Sequence, residues 1–166
     1  MFKRKRGQGE PKIEVQTELP PEGGTRARAV VVRRVSRSAF WRAITDYAGY
    51  PEFMPSTVEC RVLETEADGA LRVLQAIKVG PKKLSYTIRI VLDEEAGRVD
   101  WTLVEGKFKR LDGTWILREL GPEELEITYV NHVDVGYAIP GWASKQLIGG
   151  TMPQVVERAV ERARSY

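Results

Sequence analysis

The chain holds one histidine, His132, and one cysteine, Cys60. Any nucleophile–base pair of the Ser-His or Cys-His kind must therefore run through a single imidazole. The same scarcity excludes a multi-histidine metal centre and a cysteine-rich zinc site, and no metal or other cofactor is expected. Asp93-Glu94-Glu95 and Glu123-Glu124 fall at turns, where water solvates them, and their spacing does not set up a carboxylate pair for acid–base work. Weaker polar chemistry remains. Gln75, Tyr86, Tyr129 and Asn131 interrupt otherwise apolar strand faces. A buried amide or phenol left without a hydrogen bond costs roughly 1–3 kcal/mol. Each such group therefore satisfies a neighbour, holds a water, or orients a ligand's carbonyl or hydroxyl. Asn131 is the strongest candidate for the last role, because it sits mid-strand between Tyr129 and Val133. His132 has the opposite parity and should point away from that face. Cys60, on an apolar face, reads as an inert buried thiol.

These side chains need a sheet to hold them, and the sequence supplies one. Thr25–Val35 is β-rich and reads as a first strand. Ser36 offers an N-cap to a helix whose apolar face is Phe40, Ala43 and Ile44. A short helical turn follows, Tyr47 to Pro55, closed by the proline. Six alternating runs come next, separated by Asp68-Gly69, Gly80-Pro81, Gly97, Gly106 and Gly121-Pro122. Their repeating faces are Val58, Cys60 and Val62; then Val73, Gln75 and Ile77; then Tyr86, Ile88 and Ile90. Val99 and Trp101, then Leu111 and Trp115, then Tyr129, Asn131 and Val133 complete them. A helix is expected from Pro140 to about Arg164, with Val155, Val156, Ala159, Val160 and Ala163 as its apolar stripe. Gly149-Gly150 and Pro153 should bend it between Trp142–Ile148 and the regular C-terminal part.

The order β-α-α-β-β-β-β-β-β-α defines an α+β domain. Hairpin connections make the sheet antiparallel, seven-stranded and curved around the long C-terminal helix. One helix cannot fill the inner face of so wide a sheet. The gap is either packed with large side chains or left as an internal cavity suited to an apolar ligand.

Length and charge bound the rest. At 166 residues the chain is one domain and needs no disulfide. Its net charge of +3 resides in residues 1–28, while the remainder is neutral. We read residues 1–24 as a flexible arm, basic at Lys3, Arg4, Lys5 and Arg6 and rich in glycine and proline, and residues 25–166 as the domain. The arm could contact RNA or an anionic lipid surface. Lys82-Lys83 and Lys107, Lys109 and Arg110 lie near hairpin ends and could form a basic rim. With no secretory h-region and no apolar run long enough to span a bilayer, a cytoplasmic location is expected.

The element order, together with Glu105-Gly106-Lys107-Phe108-Lys109-Arg110-Leu111-Asp112-Gly113-Thr114-Trp115, resembles the helix-grip superfamily of START lipid-transfer domains, polyketide cyclases and plant hydrophobic-ligand carriers. Tyr47-x-x-Tyr50-Pro51-Glu52-Phe53-Met54-Pro55, Gly80 and Pro153 are similar to features of its coenzyme-Q-binding, polyketide cyclase/dehydrase and lipid transport branch. The chain departs from that branch at Pro81, where an aromatic residue is common, and at Tyr129 and Asn131 in a strand often rich in phenylalanine. The resemblance implies a helix-grip fold with a ligand cavity.

The reading leans towards a non-enzymatic carrier or presenter of a small hydrophobic ligand: a lipid, an isoprenoid or quinone, or a polyketide. The candidate walls are Val73, Gln75, Ile77, Tyr86, Trp101, Trp115, Tyr129 and Asn131. Phe53 and Met54, with Leu147 and Met152, would form a mouth. A cyclase, aromatase or dehydratase working by proximity is one alternative. The other is a ribosome- or membrane-associated factor acting through the arm.

Overall fold

In the computed structural model, residues 9–136 and 149–166 are described. The chain begins with a short strand, β1 (Gln16–Glu18), then β2 (Thr25–Arg33). Next come α1 (Arg37–Thr45), a 3-10 turn (Tyr47–Gly49) and α2 (Tyr50–Phe53). Six strands follow: β3 (Thr57–Thr65), β4 (Leu71–Val79), β5 (Lys82–Asp93), β6 (Arg98–Glu105), β7 (Arg110–Gly121) and β8 (Glu124–Asp134). The last element is α3 (Met152–Arg164). The eight strands form one unclosed antiparallel sheet in the order β1-β2-β8-β7-β6-β5-β4-β3.

The sheet thus has eight strands rather than seven. The additional one, β1, lies in the segment read as a flexible arm. Its three pairs with β2 run from Gln16–Arg28 to Glu18–Arg26. Further back, Ile13 and Val15 pack on the core. The boundary at residue 24 therefore does not separate a free arm from the domain: the chain is attached from Glu10 onward. This attachment rests on backbone pairing, on ion pairs of Glu10 and on the packing of Ile13 and Val15.

Local chemistry explains the helical segment. The Ser36 hydroxyl accepts the Ala39 N–H at 3.2 Å and starts α1. Phe40, Ala43 and Ile44 then point inward and are buried. The Asp46 carboxylate accepts the Gly49 N–H at 3.3 Å and turns the chain into the 3-10 segment. Pro51 sits in the first turn of α2, where its missing N–H costs nothing.

The C-terminal helix α3 starts at Met152, with Pro153 in its first turn, after a π-helical pair at 149–150 and a bend at Thr151. The expected earlier piece, Trp142–Ile148, lies outside the described residues. Met152, Val156, Ala159, Val160 and Ala163 form the buried stripe of α3, which packs on α1, α2 and β2. Val155, placed on that stripe by sequence, is only half-buried.

Strand β3 is the sheet edge, and two register irregularities bend it, at Thr57/Glu59 and Val62/Glu64. Of its expected apolar face only Cys60 is buried, while Val58 and Val62 stay exposed. Val58 falls in the first irregularity, where a bulge breaks the alternation, whereas Val62 keeps the register of Cys60 opposite Val73 and is exposed on the edge strand.

Candidate functional site

The inner face of the sheet divides along its length. At one end Val31, Leu117, Leu125 and Ile127 meet Phe40, Ile44, Val156 and Val160, and these side chains are close-packed. At the other end the described helical residues fill the space only partly. A cavity of about 150 Å³ remains there. Its wall comes from β4 to β8, and its cover from the Tyr47–Thr57 segment and from Thr151 and Val155.

The aromatic wall is ordered by register. Trp115 pairs with Tyr129, and Trp101 with Gly113. The Trp115 and Tyr129 rings lie 4.2 Å apart at 35°, and Trp101 lies 5.8 Å from Tyr129 on the same wall. Phe40 meets Trp115 edge-on at 5.5 Å. Phe108 does the same to Tyr86, at 5.5 Å and 90°. These are the offset and edge-to-face arrangements that aromatic quadrupoles favour. Gly113 makes room for the wall. A methyl group there would stand 2.3 Å from the Val130 carbonyl oxygen and 2.4 Å from Trp101 Cζ2.

The polar groups fall into two sets. In the first, every partner is present. The Tyr86 hydroxyl donates to Gln75 Oε1 at 2.8 Å, and the Gln75 amide donates to Cys60 Sγ at 3.7 Å. The Tyr50 hydroxyl donates to the Ile44 carbonyl. In the second set, the Tyr47 hydroxyl and Asn131 Oδ1, on residues that line the cavity, are themselves buried with no hydrogen-bond partner among the described residues. Burial pushes the Tyr47, Tyr50, Tyr86 and Tyr129 phenols well above the ordinary 10.0, so all four are neutral donors at physiological pH. Burial likewise pushes the Cys60 thiol up to about 12, against a smaller opposing effect of the Gln75 hydrogen bond.

Eight of the twelve residues proposed from sequence line this cavity: Met54, Gln75, Ile77, Tyr86, Trp101, Trp115, Tyr129 and Asn131. Val73 and Met152 do not; both are buried among core side chains. Phe53 is half-buried against Tyr50, with its ring 5.1 Å below the Arg162 guanidinium. These three positions belong to the packed core around the cavity rather than to its lining. Leu147 lies outside the described residues, as do Lys3, Arg4, Lys5 and Arg6. Sequence parity did carry Ile88, Ile90, Val99, Leu111 and Val133, which share faces with the named residues and line the cavity too. It carried no signal for Tyr47 as a lining residue, because a 3-10 turn has no face period. Ser56, also in the lining, takes a left-handed φ of 61° and accepts the Lys78 N–H at 2.8 Å.

His132 points to the opposite face. It is buried there beneath the turn before β2, with Nε2 2.9 Å from the Gly23 carbonyl oxygen. Lys82, Lys83, Lys107 and Lys109 are exposed, and Arg110 is engaged by Asp112 at 2.6 Å. Among the described residues no helix is long and apolar enough to cross a membrane.

A single antiparallel sheet with helices packed on its inner face is a fold shared with known proteins. The chain belongs to the polyketide cyclase / dehydrase and lipid transport family, which it matches over residues 11–160. Among curated relatives, it is 28% identical to the ribosome association toxin RatA of Pseudomonas aeruginosa over 123 residues, 74% of this chain and 81% of that protein. It is 27% identical to RatA of Escherichia coli K12 over 113 residues, 63% of this chain and 69% of that protein. Among solved structures, human StAR-related lipid transfer protein 5 superposes with a TM-score of 0.76 at 10% identity, covering 95% of this chain and 85% of its own. A START superfamily protein from Mycobacterium smegmatis gives 0.73 at 18% identity, covering 84% and 97%. The Zhui aromatase/cyclase from Streptomyces sp. R1128 gives 0.68 at 17%, covering 84% and 91%. At these identities the structures show the shared fold.

Proposed function

We propose that this protein binds a small hydrophobic molecule in the cavity between its sheet and helices, and carries or presents it rather than transforming it. The observation that carries the reading is the cavity itself: a void of about 150 Å³, walled mainly by aromatic and aliphatic side chains, in a family named for polyketide cyclisation and lipid transport. A void of roughly that size accepts a benzene-sized group when its walls are apolar. Each ligand methylene buried adds about 0.8 kcal/mol. Lipids, isoprenoids or quinones, and polyketides all present such a group.

The test combines extraction with obstruction. The purified protein should yield an apolar molecule to organic solvent and mass spectrometry, or should take up a benzenoid probe by calorimetry. Ile77→Trp, which fills the cavity from its wall, should abolish uptake while the circular dichroism spectrum is retained. Empty extracts with no probe uptake would overturn the reading.

A second reading rests on a separate observation, the similarity to two proteins named for ribosome association. It assigns Lys3, Arg4, Lys5 and Arg6 to an RNA surface. Salt-sensitive cosedimentation with ribosomes, lost on substituting these four residues by glutamine, would support it. Cosedimentation unchanged by the substitutions, or absent throughout, would remove it.

A further inference from the structure

His132 is the chain's one histidine, and it takes no part in the cavity. Strand parity turns it to the other face of β8, where it is 1% exposed. Its cover is the turn at residues 20–24, which joins β1 to β2. Two glycines in left-handed backbone press this turn onto β8, Gly23 at φ 100° and Gly24 at φ 71°. A methyl group at Gly24 would stand 2.6 Å from the Val133 carbonyl oxygen. The imidazole holds the turn from below. Nε2 lies 2.9 Å from the Gly23 carbonyl oxygen, which only accepts, so Nε2 carries the proton. Nδ1 is buried with no hydrogen-bond partner among the described residues. The neutral ring suits this site, whereas the charged ring brings a second N–H and a charge with no acceptor for either.

The charged groups around the ring are already engaged. Arg26 stands opposite His132 on β2, and it holds Glu18 of β1 at 2.5 Å and Glu22 of the turn at 3.3 Å. Asp112 stands opposite on β7, 2.6 Å from Arg110, which also lies 3.9 Å from Glu22. Asp134, two residues along β8, accepts the Gly136 N–H at 3.0 Å and lies beside Gly23 and Gly24. Arg28, two residues along β2, lies towards Glu126. A proton on Nδ1 puts a cation between Arg26 and Asp112. It repels Arg26 and draws Glu22 and Asp112 away from their arginines. Arg26 is also the side chain that ties β1 to β2, so the disturbance reaches β1.

We infer that His132 is a latch for the N-terminal segment: protonation of Nδ1 releases the turn at residues 20–24 and β1 from the sheet, and the neutral ring closes them again. Histidine is the side chain whose ordinary titration falls between pH 5 and 8, so the latch answers to mild acid. The open segment accepts the proton and the closed one does not, and closure therefore weakens as pH falls. Glu22 is held below the usual carboxylate range, chiefly by a backbone hydrogen bond, and stays ionised through that window. The Glu10 end of the segment is held separately, by Arg33 and Arg164, and stays attached.

The experiment is an NMR titration of the full chain between pH 7 and pH 5. A single histidine gives a single set of ring signals, so its midpoint is read without ambiguity. Amide protection, corrected for the intrinsic pH dependence of exchange, is followed in β1, at Gly23 and in β7. The Gly23 N–H donates to the Pro20 carbonyl at 3.0 Å and reports the turn directly. Protection in β1 and at Gly23 should fall about ten-fold from pH 7 to pH 5, with the midpoint of the ring, while β7 is unchanged. His132→Gln keeps an amide able to donate to the Gly23 carbonyl and does not titrate, and its β1 protection should be the same at both pH values. Constant protection in the wild type overturns the inference. So does a fall whose midpoint departs from that of the ring, or an equal fall in His132→Gln. If that variant does not fold, agreement or disagreement of the two wild-type midpoints decides alone.

Discussion

Cys60 and four cavity phenols hold their protons more tightly than they would in water, and this makes stability depend on pH at the alkaline end. The thiol moves from its ordinary 9.0 to about 12 because burial penalises the thiolate. Tyr47, Tyr50, Tyr86 and Tyr129 move upward from 10.0 for the same reason. Above pH 9 the unfolded chain releases these protons while the folded chain retains them. The folded state then binds more protons, so stability falls as pH rises. Stability is full below about pH 9 and declines from there towards 12. Urea denaturation at pH 8, 9, 10 and 11 should show the fall. Cys60→Ala should make it shallower, by up to about 1.4 kcal/mol per pH unit, the effect of one proton. Equal slopes in the two proteins would mean that the thiolate is tolerated inside. Of the cavity's polar residues, four were legible from their position on alternating apolar faces. Tyr47 was not, because its inward direction is set by the Asp46 cap and the 3-10 turn rather than by any period.

At the scale of elements, β7 and β8 carry the aromatic wall, and Gly113 sets its depth. The indole of Trp101 rests where a Cβ would be, against a backbone carbonyl that the sheet ladder holds in place. Gly113→Ala should therefore displace the indole, lose about 1–3 kcal/mol to overpacking, and change the near-ultraviolet circular dichroism of the tryptophans. Thermal denaturation gives the first quantity. An unchanged melting temperature and spectrum would show that Trp101 has another resting place. Strand existence and facing were readable from alternation for β4 to β8, since a pleated strand sends every second side chain to one side. Alternation failed at β3, where an irregularity takes in Val58 and the edge position leaves Val62 exposed, and at β1, whose three residues are all exposed. It also could not separate cavity from core along one strand: Val73 and Gln75 share a face of β4, yet the first is packed and the second is open.

At the scale of the molecule, a buried arginine joins the two ends of the chain. Arg33 closes β2 with its side chain 2% exposed. It meets Glu157 of α3 at 2.6 Å and Glu10 at 3.1 Å, and donates to the Pro11 carbonyl at 2.8 Å. Arg164 holds Glu10 from the other side at 2.7 Å. Removing a carboxylate leaves a buried guanidinium short of a partner. The partial exposure of Glu157 moderates that loss, and Glu157→Gln should cost about 1–2 kcal/mol. It should also speed amide exchange in residues 10–18 relative to β7. Uniform exchange rates in the variant would place the attachment of this segment elsewhere, on Ile13, Val15 and the β1–β2 pairing.

The order of elements, the antiparallel sheet, the inward side chains of most strands and the family resemblance all follow from the amino-acid sequence by itself. These depend on local periods and on residues close together in the chain. Three matters were decided only by tertiary structure. It placed the N-terminal segment on the sheet edge and under Arg33, through contacts more than a hundred residues apart in the case of Glu157. Among the described residues it left a cavity of about 150 Å³ on the inner face, because how far helices reach across a sheet depends on their packing and not on their sequence period. And it paired Gln75 with Tyr86 while leaving the Tyr47 hydroxyl and Asn131 Oδ1 without a hydrogen-bond partner among the described residues, a difference set by distances of a few ångströms between separate elements, which no linear pattern encodes.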